Sequence, residues 1–78
     1  MEKSQILDDV QAIFREVLDN EEIVLLSATT AKDIEEWDSL THIQLIVEIE
    51  KHFKIRFTSR EILSWQNVGQ LIDSIATK

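Results

Sequence analysis

Three consecutive residues, Asp38, Ser39 and Leu40, place a carboxylate, a hydroxyl and an apolar side chain where a helix is predicted to begin. Asp38 or Ser39 can cap that helix, which is the commonest role of such a pair. A serine that is itself a nucleophile needs a base within hydrogen-bond reach and a third group that orients the base. His42 lies one helical turn further on, but no glycine-rich elbow accompanies it. Taken alone, the motif therefore predicts a helix cap and no catalytic residue. Because an extended loop is predicted to enter the helix here, we also expect the Ser39 hydroxyl to be reachable by a large partner.

The acidic residues ahead of Ser39 do not predict a metal site. Asp33, Glu35, Glu36 and Asp38 lack the central glycine and the terminal glutamate of a calcium loop. The chain has no cysteine, which excludes a thiolate metal site and any disulfide. We expect each histidine to be a surface residue and not a catalyst.

The 78 residues predict a single domain over 1–78 with one modest core. There is no proline, and the single glycine is Gly69, which argues against a hairpin-rich β fold. No stretch approaches the roughly 20 apolar residues of a membrane span, and no apolar run follows the N-terminal Met. We therefore expect a monomer in the cytoplasm.

Charge excludes one class of partner. The net charge of −7 leaves no basic footprint for nucleic acid. Residues 19–38 carry seven acids and one lysine, whereas residues 39–60 carry two acids and four bases. The acidity therefore lies in the approach to Ser39. It suits partners with a basic docking patch, and the alternative is that it serves only solubility.

Apolar periodicity predicts an all-α fold, a small four-helix bundle with three longer helices, one short helix and a long first loop. The first helix is expected to begin at a Ser4 cap, and residues 20–37 form the loop, held down by its apolar run 23–26. The second helix runs from Asp38 or Ser39 to about residue 53. A capping box, Thr58 to Glu61, begins the short helix, and Asn67 precedes the last one, whose apolar stripe is Val68, Leu71, Ile72 and Ile75.

The second helix has an unusually wide apolar face. Leu45, Ile46, Ile49 and Phe53 form one stripe, and a neighbouring stripe contains Leu40, Ile43 and Val47. Together they span roughly 200°, twice what a one-sided surface helix needs. The long loop could cover the second stripe, or part of that stripe could stay exposed beside Ser39 as a docking patch. We expect coverage of Ile43 and Val47, and exposure of Leu40.

In this register the chain resembles the acyl carrier protein family, including the carrier domains of polyketide and non-ribosomal peptide synthesis, over nearly its whole length. The resemblance combines the amphipathic first helix, the long loop and the acidic lead-in 34–37 with the motif 38–40. It extends through Leu45, Ile49, Glu50 and Phe53, the stretch 57–62, Val68, and the run Leu71, Ile72 and Asp73.

The resemblance implies that Ser39, flanked by Asp38 and Leu40, carries 4′-phosphopantetheine. A phosphopantetheinyl transferase would attach the group from coenzyme A with Mg²⁺, and its thiol would hold acyl groups as thioesters. The chain would be a discrete carrier and no enzyme. It would serve an acyl- or amino-acid-activating ligase, an acyltransferase or a synthase. These partners would dock mainly on the second helix and the preceding loop. The docking residues on the helix would be Thr41, Ile43, Gln44, Val47 and Glu48.

The choice of pathway rests on departures from the family pattern. Carriers of general fatty acid synthesis usually have more acidic residues along the docking helix. In this chain, the exposed positions where an acid would often be expected are occupied by Thr41, Gln44 and Lys51. Trp37 is similar to residues in carriers of specialised or surface-polysaccharide pathways and in peptidyl carriers, although it could equally be a loop anchor. We expect a specialised pathway. The alternatives are fatty acid synthesis, a peptidyl or aminoacyl carrier, and, from another class, an unmodified helical adaptor.

Overall fold

Four α-helices and one 3₁₀ turn form the regular structure of residues 2–78, the part of the chain that the computed structural model describes. The helices are α1 (Lys3–Val17), α2 (Ser39–Phe53), α3 (Ser59–Ser64) and α4 (Val68–Ala76), and the 3₁₀ turn is Ala31–Asp33. Helices α2 and α4 both pack against α1. The prediction of an all-α bundle with three longer helices and one short helix is confirmed.

Helix α1 begins earlier than expected. Its cap residue is Glu2, and the Ile6 amide already donates to the Glu2 carbonyl at 3.0 Å. Ser4 therefore lies inside the first turn, and the prediction that it caps the helix is wrong. The apolar stripe behaves as its period requires, because Ile6, Val10 and Phe14 are completely buried.

The other helix ends follow their cap residues. Thr58 and Glu61 form the predicted reciprocal box: the Glu61 amide donates to Thr58 Oγ1 at 3.1 Å, and the Thr58 amide donates to Glu61 Oε1 at 2.9 Å. The Gln70 amide donates to Asn67 Oδ1 at 3.0 Å, which caps α4. Helix α2 ends at Lys54, whose φ of 57° lies in the left-handed region. These bonds satisfy amides and carbonyls that a helix end leaves unpaired.

The long loop, residues 18–38, is tied to α1 and α4. Its side chains Ile23 and Leu25 enter the core. The Leu25 amide donates to Gln11 Oε1 at 2.9 Å on α1. At the start of α4, the Val68 amide donates to the Thr29 carbonyl and the Gly69 amide to the Ser27 carbonyl, each at 2.8 Å. The loop is therefore held down as predicted, but on the side of the bundle formed by α1 and α4.

Because the loop packs there, it does not cover the second stripe of α2. Ile43 is 62% exposed, Val47 40% and Leu40 68%. The expected coverage of Ile43 and Val47 is wrong, and the expected exposure of Leu40 is confirmed. The other stripe, with Leu45, Ile46 and Ile49, is buried. Among residues 2–78, no helix has the length and apolar character needed to cross a bilayer.

Candidate functional site

Ser39 is the first residue of α2, and its side chain is exposed where the long loop enters the helix. Leu40, directly after it, is also exposed. The backbone of Asp38 is extended, with φ −116° and ψ −173°, so the chain turns sharply into the helix at Ser39. A large partner can therefore reach the hydroxyl.

The side chain of Asp38 points into the helix start and not toward solvent partners. Its Oδ1 accepts the Leu40 amide at 3.0 Å and the Thr41 amide at 2.9 Å. The hydrogen bond from the Thr41 amide is the main reason that the pKa of Asp38 lies below its ordinary value. The carboxylate thus stays ionised and acts as a cap, which leaves Ser39 as the free polar group of the motif.

Thr41 completes this junction from the other side. Its Oγ1 accepts the Asp38 amide at 2.9 Å and donates to the Glu36 carbonyl at 2.9 Å. Thr41 is half-buried. Thr41 is one of the residues predicted to dock partners, but its hydroxyl is already hydrogen-bonded within the chain.

Trp37 and His42 form a pair next to Ser39. The Trp37 indole N–H donates to His42 Nδ1 at 3.0 Å, and the two rings stack with centroids 5.9 Å apart. Trp37 also meets the buried Phe14 edge to face at 4.9 Å, so it anchors the loop to the core. An Nδ1 that accepts a hydrogen bond belongs to a neutral imidazole that carries its proton on Nε2.

His42 is half-buried, with part of its side chain at the surface. Burial lowers its pKa, because a low-dielectric environment disfavours the charged imidazolium. His52, by contrast, is exposed, and its Nε2 lies 3.4 Å from Asp9 Oδ2. His42 thus holds Trp37 in place as a neutral acceptor.

A cleft of about 340 Å³ opens beside Ser39. The loop and the start of α2 contribute one part of its wall, and the connection from α3 to α4 contributes the other. Its lining residues are Ala31, Trp37, Asp38, Ser39, His42, Trp65, Gln66, Asn67 and Leu71.

Sequence reasoning did not connect Trp65 and Gln66 with Ser39. The signal available was a tryptophan in the short connection before the Asn67 cap. A large aromatic side chain at such a position must find a surface to cover. The sequence does not say that this surface adjoins the start of α2.

The exposed face of α2 continues away from Ser39 through Leu40, Ile43 and Val47, with Gln44 and Glu48 exposed beside them. Glu48 Oε1 lies 3.9 Å from Lys51 Nζ, a weak surface pair. The face is thus an apolar stripe with a mixed polar border. Within residues 2–78 there is no group of three or more acidic, histidine or cysteine side chains placed to hold a metal ion.

Comparison with known proteins identifies the class of site. The family model described as "Phosphopantetheine attachment site" matches residues 8–75. The solution NMR structure of a holo acyl carrier protein from Geobacter metallireducens is 47% identical, with a TM-score of 0.88. That match covers 92% of this chain and 83% of the other. No curated protein matches significantly.

Proposed function

Because the chain belongs to the acyl carrier protein family, whose members bear a phosphopantetheine attachment site, we propose that Ser39 is the residue that carries the group. The protein is a carrier and not a catalyst, and its cofactor is 4′-phosphopantetheine. The thiol of that cofactor holds acyl groups as thioesters. The residues of this chain have a different task, which is to present one hydroxyl to other enzymes.

The observation that carries the proposal is the geometry of the Asp38–Ser39 junction. Asp38 turns inward to cap α2, and Ser39 is left exposed at the first helical position. A phosphodiester on that oxygen would face the positive end of a 15-residue helix, which favours an anion. The cleft beside Ser39 leaves space for an attached arm. The residues present therefore fit the cofactor.

Ser59 offers a matched control for this proposal. It is also exposed, is also the first residue of a helix, and also follows an extended cap residue, Thr58. It differs in opening a helix of only six residues and in not lining the cleft beside Ser39. A transferase that recognised nothing more than an exposed serine at a helix start would modify both serines.

The test is intact-mass measurement after incubation with coenzyme A, Mg²⁺ and a broad-specificity phosphopantetheinyl transferase. We expect the mass of one phosphopantetheine to be added to the wild type and to Ser59→Ala, and nothing to be added to Ser39→Ala. An equal mass gain in Ser39→Ala would show that a residue other than Ser39 carries the group. No gain in the wild type would favour the unmodified helical adaptor instead.

We further propose that partners dock on the exposed face of α2, on Leu40, Ile43, Gln44, Val47 and Glu48. Thr41 belongs to this face by position, although its hydroxyl is engaged with Asp38 and Glu36. Exposed apolar side chains in a row are unusual on a carrier of this size unless a partner covers them.

Ile43 and Val24 allow a controlled test of the docking face, since they are 62% and 63% exposed. Val24 lies in the loop segment tied to α1, away from Ser39 in the chain. We expect Ile43→Ser to slow modification by the transferase about tenfold, the size of a moderate interface contact. Val24→Ser should leave the rate unchanged. Equal rates for both variants would exclude Ile43 from the docking face.

For the pathway, we propose a dedicated biosynthetic route with its own loading ligase, acyltransferase or synthase. The support is the surface of α2, where Gln44 and Lys51 are exposed and no acid lies in the first turn of the helix. Surface charge of this kind selects partners as much as it strengthens binding. The proposal includes a monomer in the cytoplasm.

Loading assays distinguish the pathways. The modified protein is offered to acyl-activating ligases, to amino-acid-activating enzymes and to the malonyl transferase of fatty acid synthesis, and its mass is followed. Loading by a dedicated acyl ligase alone supports the proposal. Efficient malonyl transfer would make it a carrier of fatty acid synthesis, and aminoacylation would make it a peptidyl carrier.

A further inference from the structure

The cleft beside Ser39 determines which acyl groups the carrier can shelter from solvent. This inference rests on the proposed attachment of the cofactor at Ser39. Trp37 and His42 line it near the start of α2, and Trp65 lines it from the connection between α3 and α4. Leu71 also lines the cleft and is only 4% exposed, so the cleft reaches down to the core. An acyl group on an arm at Ser39 can fold back into this space.

The volume of the cleft limits how large that group can be. The cleft has a volume of about 340 Å³ and is open to solvent on one side, and any part of the arm that enters it occupies some of this space. This volume is at the lower end of ligand pockets generally. A short acyl group fits, and a long aliphatic chain does not.

The cleft could admit more only if its walls moved, and Trp65 is fixed by two contacts. Its indole N–H donates to Ser74 Oγ on α4 at 2.8 Å. Its ring meets Phe57 edge to face, with centroids 4.8 Å apart and planes at 89°. Phe57 is itself held, because its amide donates to Glu50 Oε2 at 2.9 Å. Trp65 thus lines the cleft and packs against the core at the same time.

The opposite wall is fixed as well. Trp37 is held between the buried Phe14 and His42 by an edge-to-face contact and a hydrogen bond. No buried polar side-chain atom among residues 2–78 lacks a hydrogen-bond partner, so neither indole has an unsatisfied neighbour that would favour another position.

We propose that Trp65 is a specificity-determining residue that confines the sheltered cargo of this carrier to short acyl groups. A short acyl group packs between the indoles and Leu71. A long chain extends past them into solvent, because Trp65 forms a wall of the cleft that is held by Ser74 and Phe57 and packs against the core.

The chain contains no cysteine, so Ser39→Cys provides a unique attachment point that needs no transferase. Haloacetamides with a linker of pantetheine length, ending in butyryl, octanoyl or tetradecanoyl amides, are coupled to this thiol. The Tm of each conjugate is measured relative to the conjugate that bears the linker alone. Methyl NMR shifts of Leu71 and of the deeper Ile49 report where the chain lies.

With Trp65 present, we expect the butyryl group to shift the Leu71 methyls and to raise Tm by about 4 °C. The tetradecanoyl group should raise Tm no further than the octanoyl group and should not shift Ile49. In Trp65→Leu, the gain should continue to increase with chain length, and the Ile49 methyls should shift. A gain that rises up to tetradecanoyl with Trp65 in place would overturn the proposal, as would the absence of Leu71 shifts with every acyl group.

Two further variants guard against a merely structural effect. Ser74→Ala keeps the indole but removes its hydrogen bond, so partial admission of the long chain is expected even if Trp65→Leu folds poorly. Leu63→Ala changes an apolar side chain of α3 that is 84% exposed and does not line the cleft, and it should leave the chain-length profile unchanged. Because the coupling is chemical, a failure of Ser39 modification by the transferase does not affect this result.

Discussion

At the scale of single residues, His42 couples a proton to the position of a loop. Its Nδ1 accepts the Trp37 indole N–H only while the imidazole is neutral. Burial lowers the pKa of His42 below its ordinary value of 6.5. Since the folded pKa is the lower one, the unfolded chain takes up the proton first as the pH falls. The contribution of His42 to stability is therefore complete above about pH 6.5 and is lost as the pH falls through the folded pKa.

We predict that Tm falls more between about pH 7.5 and pH 5 in the wild type than in His42→Gln, which has no imidazole to protonate. The fluorescence of Trp37, followed in a Trp65→Phe background, should change over the same pH interval. His52→Gln serves as control, because His52 lies on Asp9 and away from the indole pair. If His42→Gln kept the full pH dependence, the Trp37–His42 bond would not be its source.

At the scale of elements, the end of α2 contains a local conflict. Lys54 adopts a φ of 57°, a conformation that costs a residue with a Cβ roughly 1 kcal/mol and costs glycine almost nothing. The Ile55 amide nevertheless donates a hydrogen bond to the Glu50 carbonyl at 3.1 Å, so hydrogen bonding defines the C-terminus of the helix.

We predict that Lys54→Gly raises the free energy of unfolding by about 0.5–1 kcal/mol, measured by urea denaturation. Lys51→Gly, three residues earlier in the last helical turn, should lower the free energy of unfolding by about 1 kcal/mol. The backbone there is helical, so glycine relieves no strain and loses more conformational entropy on folding than lysine does. Destabilisation by both substitutions to the same extent would show that residue 54 is not strained.

The element ends show why most of the fold could be predicted. Helices are commonly capped by residues such as Asp38, Thr58 and Asn67. In the structure, the side chain of each accepts a hydrogen bond from an amide in the first turn of the helix that follows. The start of α1 could not be predicted in this way, because Glu2 makes no side-chain hydrogen bond as a cap and its residue type does not mark a helix start.

The path of the loop could not be predicted for a different reason. Its carbonyls at Ser27 and Thr29 accept amides from α4, and backbone bonds between distant segments leave no mark on residue type or spacing. With the loop placed on α1 and α4, Ile43 and Val47 stay exposed. In the same way, Ser39 was recognisable as a candidate from its own segment, whereas the opposing wall formed by Trp65 depends on tertiary packing.

At the scale of the whole molecule, the contacts between the loop and α4 should open as one unit. The Val68 and Gly69 amides lie in the first turn of α4, where amides have no partner within the helix. Here both donate to loop carbonyls at 2.8 Å. We predict that in native-state hydrogen exchange they are as protected as core amides such as that of Leu45. The neighbouring Gln70 amide, capped only by the Asn67 side chain, should exchange faster. Rapid exchange at Gly69 would show that the loop detaches while the helices stay folded.

The two bonds also have a consequence for the order of folding. Each helix can form from contacts that are local in the chain, whereas Ser27 and Gly69 meet only after α1 and α4 have come together around the segment that contains α2. Closing so long a connection carries an entropy cost that nearby contacts must offset first. We expect this closure to follow the rate-limiting step, so that a substitution at the buried Thr29 would accelerate unfolding and leave the refolding rate nearly unchanged. The lifetime of the native state, more than the speed with which it forms, would then depend on this loop.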